Sequence, residues 1–199
     1  MIDLLTQSPL LFGIYAVALL GAISIHEFSH ALVADRLGDP TPRIQGRVTL
    51  DPRAHIDLTG ILFLFVFGFG WGRPVQFDPF NLEHPRRDAA LISVAGPISN
   101  LIIAVICSLI YTATSFSLLL PFITLNVMLA VFNLLPIHPL DGFKIVGGLL
   151  SEEKAREWYQ LERYGILFLI LLILPMGGGS MLSKIITPVM QFVLGLLIR

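Results

Sequence analysis

The sequence predicts an all-α polytopic membrane protein of about five transmembrane helices, with a re-entrant segment and a small β-hairpin. Of its 199 residues, 55% are hydrophobic and only 14% charged, where an ordinary soluble domain carries about a quarter charged. Mean hydropathy is +0.80, and the apolar residues gather in long runs separated by turn-rich polar stretches. No polar stretch is long enough to form a second globular unit, so residues 1–199 read as a single membrane-embedded domain. A net charge of −1 gives no basic face for a nucleic-acid partner. The one cysteine, Cys107, lies in an apolar run and excludes a disulfide framework.

The first helix covers residues 9–34, from Pro9 to the polar stop at Asp35-Arg36-Leu37-Gly38, long enough to span about 30 Å of hydrocarbon. A signal peptide is rejected, because no basic residue precedes the run and no cleavage site follows it. Residues 39–87 form a hairpin and re-entrant region. Turn signals at Asp39-Pro40, Pro42, Gly46 and Asp51-Pro52 bracket the stretch RIQGRVTL (43–50), read as the hairpin. The next apolar run ends in Gly68-Phe69-Gly70-Trp71-Gly72. At about a dozen residues it suits a re-entrant piece better than a crossing. Helices are expected over 88–113, interrupted at Gly96-Pro97, and over 116–142, ending in the Asp141-Gly142 motif. The C-terminal helices, 164–199, comprise runs at 164–176 and 181–198 on either side of a glycine cluster.

Chemistry enters at His26-Glu27-Phe28-Ser29-His30, the pattern H-E-x-x-H. On a helix, positions i and i+4 share a face, so both imidazoles converge on one point while the adjacent glutamate reaches a water there. This is the zinc-hydrolase arrangement. An ionisable group amid apolar helix costs about 2.5–3.5 kcal/mol even on lenient scales, which marks the segment as functional. A hydrogen-bonded cluster gluing helices together does not require this spacing.

A catalytic zinc takes three protein ligands and a water, so one ligand is missing. The candidates are His55, Asp57, His84, His138, Asp141 and the loop carboxylates. Asp141 is preferred because it directly follows the third span. If residues 58–72 fold back without crossing, Asp141 and His30 emerge on the same side of the bilayer. With five crossings, every one of the 13 Lys and Arg residues except Lys184 also falls on that side, a strong positive-inside bias. The active site then faces the cytoplasm and the N-terminus lies outside, in a multi-pass protein of the cell membrane.

HEFSH in an apolar helix followed by NLLPIHPLDG (133–142) resembles the site-2 protease family of intramembrane zinc metalloproteases. DPRAHIDLTG, GWGRPVQFDPFN, RRDAALISVAGPISN and LERYG extend the resemblance to the short prokaryotic branch, which lacks PDZ and nucleotide-sensing domains. The resemblance implies one zinc per chain on His26, His30 and Asp141, with Glu27 as catalytic base. It also implies substrate contacts by Asn133, near the scissile bond, and His55, bounding the active-site cavity. Asn133 equally reads as an interhelical hydrogen bond, and His55 as a loop cap. Asn100, in Gly96-Pro97-Ile98-Ser99-Asn100, reads as a packing residue whose amide bonds across to another helix. His138 reads as headgroup-facing.

The expected activity is hydrolysis of peptide bonds in or near transmembrane segments of membrane proteins, with the lipid bilayer and a regulatory membrane partner completing the setting. RIQGRVTL and the glycine-rich segment are expected to pair with the unwound substrate as an added strand. The alternative is a non-proteolytic zinc-binding scaffold or transporter. It is disfavoured because the polar residues cluster at one end of the spans, where a transport path would spread them.

Overall fold

A computed structural model describes residues 2–67, 70–175, 177 and 179–198, and the side chains of all of these except 2–4 and 64–67. Among the described residues, two helices are long and apolar enough to cross a membrane. After the short helix α1 (Ile2–Gln7), the first of these, α2 (Pro9–Arg36), begins with Pro9 in its first turn and Ser8 as its N-cap. Its 28 residues rise about 42 Å. It stops at Leu37, where Gly38 takes φ +104° and turns the chain away.

The polar region that follows departs from the expected hairpin. Residues Thr41–Ile44 form a helical turn, α3, and the bridges among the described residues are isolated ones, Ile56 with Gly72 and Pro175 with Ser180. The local cause is Asp39. Its Oδ1 accepts from the Thr41 N–H and hydroxyl, and Pro42 then fits the first helical turn. This cap outweighs the alternation in RIQGRVTL. Asp39 also accepts from the Asp78 N–H and the Asn81 amide, tying the loop to residues 78–81.

Helix α4 (Leu58–Phe67) has 10 residues, a rise of about 15 Å, half a hydrocarbon core. Its flanks meet: Ile56 bridges Gly72, and the Arg73 N–H donates to the His55 carbonyl at 2.8 Å. The excursion 57–71 therefore starts and finishes at one place. A β-carbon on Gly60 would stand 2.0 Å from the Trp71 carbonyl oxygen, so the returning chain requires glycine there. Gly68 and Phe69 of the expected glycine–aromatic segment lie outside the described residues.

Helix α5 (Pro85–Thr114) is the centre of the fold, packed against α2, α6 (Leu120–Asn133) and α7 (Asp141–Leu149). The helix expected over 116–142 is thus two helices with a break between them. Pro136 and Pro139 remove backbone donors and disfavour helix in the residues before them. The chain folds back so tightly that a β-carbon on Gly142 would lie 2.3 Å from the Leu134 carbonyl oxygen. Helices α8 (Glu152–Tyr159), α9 (Gly165–Ile173) and α10 (Met181–Leu197) follow, with α10 against α6. The 9 residues of α9 rise only about 14 Å.

The packing reverses the pattern of a water-soluble protein. Where helices meet, small residues are buried: Ala18, Ala22, Ala31 and Ala34 of α2, and Ser93, Gly96 and Ala104 of α5. Large apolar side chains face outward, including Leu10 (75% exposed), Leu109 (66%) and Phe192 (70%). Helices surrounded by lipid gain little from hiding leucine and associate through close backbone approach and polar contacts. Cys107 is half-buried beside the Ala104–Ile123–Val127 cluster.

Candidate metal centre

His26 and His30 lie one turn apart on the buried face of α2, and Asp141 opens α7. The Asp141 Oδ2 stands 3.1 Å from the His26 Nε2 and 3.2 Å from the His30 Nε2, and the two Nε2 atoms are 3.0 Å apart. The break after Asn133 makes this possible, because it swings the start of α7 back towards α2.

The outer nitrogens define what the inner ones can do. The His26 Nδ1 faces the Asn100 Oδ1 at 2.7 Å, and the His30 Nδ1 faces the Ile92 carbonyl at 2.7 Å. Assigned from these acceptors, both rings carry their proton on Nδ1 and turn an Nε2 lone pair inward. Those lone pairs meet the Asp141 Oδ2, which is buried and has no hydrogen-bond donor. Three acceptors packed together repel one another, and a cation among them removes the conflict. Ligand atoms on a tetrahedral zinc stand about 3.3–3.6 Å apart, close to the separations here. The donor set, two imidazoles and a carboxylate, is that of a catalytic rather than a structural zinc site.

Room for the rings comes from α5. A β-carbon on Gly96 would lie 2.5 Å from the His30 Nε2 and 2.6 Å from the His26 Cε1. Glu27 comes from the same turn, its Oε2 accepting the Val75 N–H at 2.8 Å. The loop bearing Val75 is held by Arg47, which is only 4% exposed and donates to the carbonyls of Ala54, Arg73 and Pro74. Lys144, one turn into α7, lies over the Phe77 ring at 4.6 Å. Burial pushes its ammonium below the usual lysine range, against the pull of the Asp141, Glu162 and Glu27 carboxylates.

Comparison with known proteins bears on this centre directly. Residues 112–176, which include Asn133 and Asp141, match the model of peptidase family M50. YwhC of Bacillus subtilis, named as a zinc metalloprotease, is 38% identical over 177 residues, covering 81% of this chain and 81% of YwhC. The chain belongs to peptidase family M50, the site-2 protease family. Rip2 of Mycobacterium tuberculosis, named likewise, is 31% identical over 191 residues, 85% of this chain and 71% of Rip2. The zinc metalloprotease MJ0392 of Methanocaldococcus jannaschii is 23% identical over 152 residues, 74% of this chain and 37% of that protein. No solved structure matches. This M50 peptidase is therefore a zinc metalloprotease, with zinc as its cofactor.

The other sequence candidates of the M50 peptidase lie apart from the cluster. Asp57 caps α4, accepting from the Gly60 N–H, and His84 is an exposed residue at the start of α5. His138 sits 3.6 Å from Glu162 and edge-on to Phe143. His55 is fully buried and bonds through Nε2 to the Thr49 carbonyl, which ties it to the loop. Asn133 ends α6 with its Nδ2 donating to the Leu129 carbonyl at 3.0 Å. Sequence reasoning missed Gly96, Arg47 and Val75. It also saw in Asn100 an amide bonding between helices, without its contact to His26. The shared signal was polar or glycine residues in otherwise apolar or loop segments, which carries no information about their partners.

Proposed function

We propose that this M50 peptidase hydrolyses peptide bonds in or near transmembrane segments of membrane proteins, using His26, His30 and Asp141 as zinc ligands and Glu27 as general base. The observation that carries the reading is the convergence of three lone-pair donors, two from α2 and one from the start of α7, among helices whose outward surface is apolar. Zinc held there supplies a Lewis acid and a water acidified towards neutral pH. Glu27 takes a proton from the attacking water as oxygen adds to the peptide carbonyl carbon. The carboxylate then returns that proton to the departing nitrogen as the C–N bond breaks. The Val75 N–H on its Oε2 orients the group and leaves Oε1 for the water.

A helical substrate must unwind locally to expose a carbonyl. The second N–H of the Asn133 amide is free to position that carbonyl while the first stays on Leu129. Residues 73–78 lie outside any helix and pass beside Glu27, and the backbone groups of Gln76 and Phe77 there are our candidate contacts for the unwound chain. RIQGRVTL, being turn rather than strand, does not serve that role. Since His55 is buried, its part is to hold the loop that bounds the site.

The same proposal includes the topology: a single domain crossing the cell membrane five times, N-terminus outside, metal centre towards the cytoplasm. Two observations support it. The excursion 57–71 returns to its starting point, and every Lys and Arg except Lys184 then shares one side. A membrane-bound regulatory partner is part of the same proposal.

The test is cleavage of a purified transmembrane substrate in proteoliposomes. Wild-type protein is expected to cut it, and Glu27→Gln to retain zinc while losing at least about 10²-fold in rate. Wild-type turnover by Glu27→Gln would remove the glutamate from the mechanism.

A further inference from the structure

Two asparagines lie fully inside the helix bundle, where polar side chains need a reason. Asn100 of α5 is 0% exposed and Asn126 of α6 is 1% exposed. Helix association alone would account for one hydrogen bond between them. The observed chain runs further. The Asn126 Nδ2 donates to the Phe122 carbonyl at 2.8 Å, and its Oδ1 accepts from the Asn100 Nδ2 at 2.8 Å. The Asn100 Nδ2 also donates to the Ala22 carbonyl at 3.1 Å, and the Asn100 Oδ1 meets the His26 Nδ1 at 2.7 Å.

Each link has one permitted direction. A backbone carbonyl only accepts, so Phe122 requires the NH2 end of Asn126 and turns its oxygen towards Asn100. That oxygen, together with the Ala22 carbonyl, requires the NH2 end of Asn100. The Asn100 oxygen must therefore point at His26, whose Nδ1 must carry the proton. Two backbone carbonyls on different helices thus dictate, through two amides, which nitrogen of His26 presents a lone pair to the metal.

We infer that Asn126 and Asn100 are positioning residues of the metal centre, a relay that fixes His26 as the Nδ1-protonated ligand. His30 gets the same service from the Ile92 carbonyl, which substitution cannot remove. His26 depends on side chains, so its orientation is open to mutation. The relay rests on the reading of His26, His30 and Asp141 as the zinc ligands, and its outer partners act as such partners do elsewhere, where their loss lowers metal affinity about 10–100-fold.

The experiment measures the zinc dissociation constant of the full-length protein in detergent, by competition with a chromophoric chelator. The melting temperature of the zinc-free form is read in parallel. Asn100→Leu keeps the volume and removes the acceptor. It is expected to weaken zinc about 10–100-fold, beyond any change in zinc-free stability. Asn100→Asp, in its protonated form, donates its O–H to the Asn126 oxygen and restores an acceptor for Nδ1, and is expected to recover most of that loss. Asn126→Leu, which removes one of the two acceptors that hold the Asn100 NH2 in place, is expected to fall between wild type and Asn100→Leu. Wild-type zinc affinity in Asn100→Leu would overturn the relay. Equal weakening in Asn100→Leu and Asn100→Asp would also overturn it, reducing Asn100 to a packing residue. Should Asn100→Leu fail to fold, Asn126→Leu decides: weakened zinc at unchanged zinc-free melting supports the relay, and wild-type affinity overturns it. Asp141→Ala separates the two readings. If it binds zinc like wild type, the ligand assignment itself fails. If it loses zinc while Asn100→Leu keeps it, only the relay fails.

Discussion

Gly96 of α5 faces His30 of α2 so closely that a single added methyl carbon would stand 2.5 Å from the Nε2. No ordinary side chain contact is that short, and both imidazoles are fenced by α5 and α7. Gly96→Ala must therefore displace a ring or spread α2 from α5. The expected outcome is loss of most bound zinc. Cleavage should fall by on the order of 10²-fold, the scale at which misplacement by about 1 Å acts. Metal analysis of the purified variant checks it, and a full zinc complement with wild-type cleavage would contradict the close approach.

The carboxylate of Asp141 decides whether two histidines suffice. About one zinc per chain is expected in wild type and close to none in Asp141→Ala. Chelation should abolish cleavage, and added zinc should restore it to wild type alone. Unchanged zinc in Asp141→Ala would remove Asp141 from the ligand set.

Arg47 is the least expected contributor, since it touches neither ligand nor base. Its guanidinium gathers the carbonyls of Ala54, Arg73 and Pro74, and the next residue along, Val75, binds Glu27. Arg47→Ala leaves acceptors unpaired, at about 1–3 kcal/mol each where they stay buried. It should lower kcat while zinc stays bound. Arg47→Lys should rescue little, because an ammonium cannot span three carbonyls as a planar fork does. Steady-state kinetics with zinc quantitation reads this out, and loss of zinc along with rate would place Arg47 in the metal centre instead.

Asp39 links the acid behaviour of the fold to its loops. Burial alone would raise its pKa, but donors from Thr41, Asn81 and Asp78 outweigh that and hold it below the ordinary aspartate value. A folded pKa below the unfolded one means that the stabilisation is complete above the unfolded value. It drains away as pH falls through the folded one. Wild type should lose melting temperature below about pH 4 more steeply than Asp39→Asn, which has no carboxylate there to protonate. Parallel acid profiles of the two proteins would show that Asp39 is not tied in this way.

Topology is open to a labelling experiment. With Cys107 replaced by serine, a cysteine at Lys184 should react with a membrane-impermeant reagent from outside intact cells, and one at Lys154 only after lysis. Labelling of both from the same side would require that α9, the helix between them, does not cross.

The H-E-x-x-H segment was legible in the sequence alone because its geometry is intrahelical: 3.6 residues per turn bring His26 and His30 together whatever surrounds them. The long apolar runs were legible for a similar reason, since composition and length fix a helix in lipid without reference to any neighbour. Asp141 could be narrowed down by asking which residues emerge on the same side, though not that Pro136 and Pro139 would break the helix and swing it to 3.1 Å from His26. The RIQGRVTL alternation misled because a local pattern of period two was overruled by the Asp39 cap, whose other partners are Asp78 and Asn81, far along the chain. The close approach of Gly96, the contact of Asn100 with His26 and that of the Ile92 carbonyl with His30 were beyond reach for a deeper reason. Between helices in lipid there is little apolar gradient to dictate which face turns inward. Rotation and register are then settled by close approach of small residues and by pairwise polar contacts, and those exist only once α2, α5 and α6 are packed together.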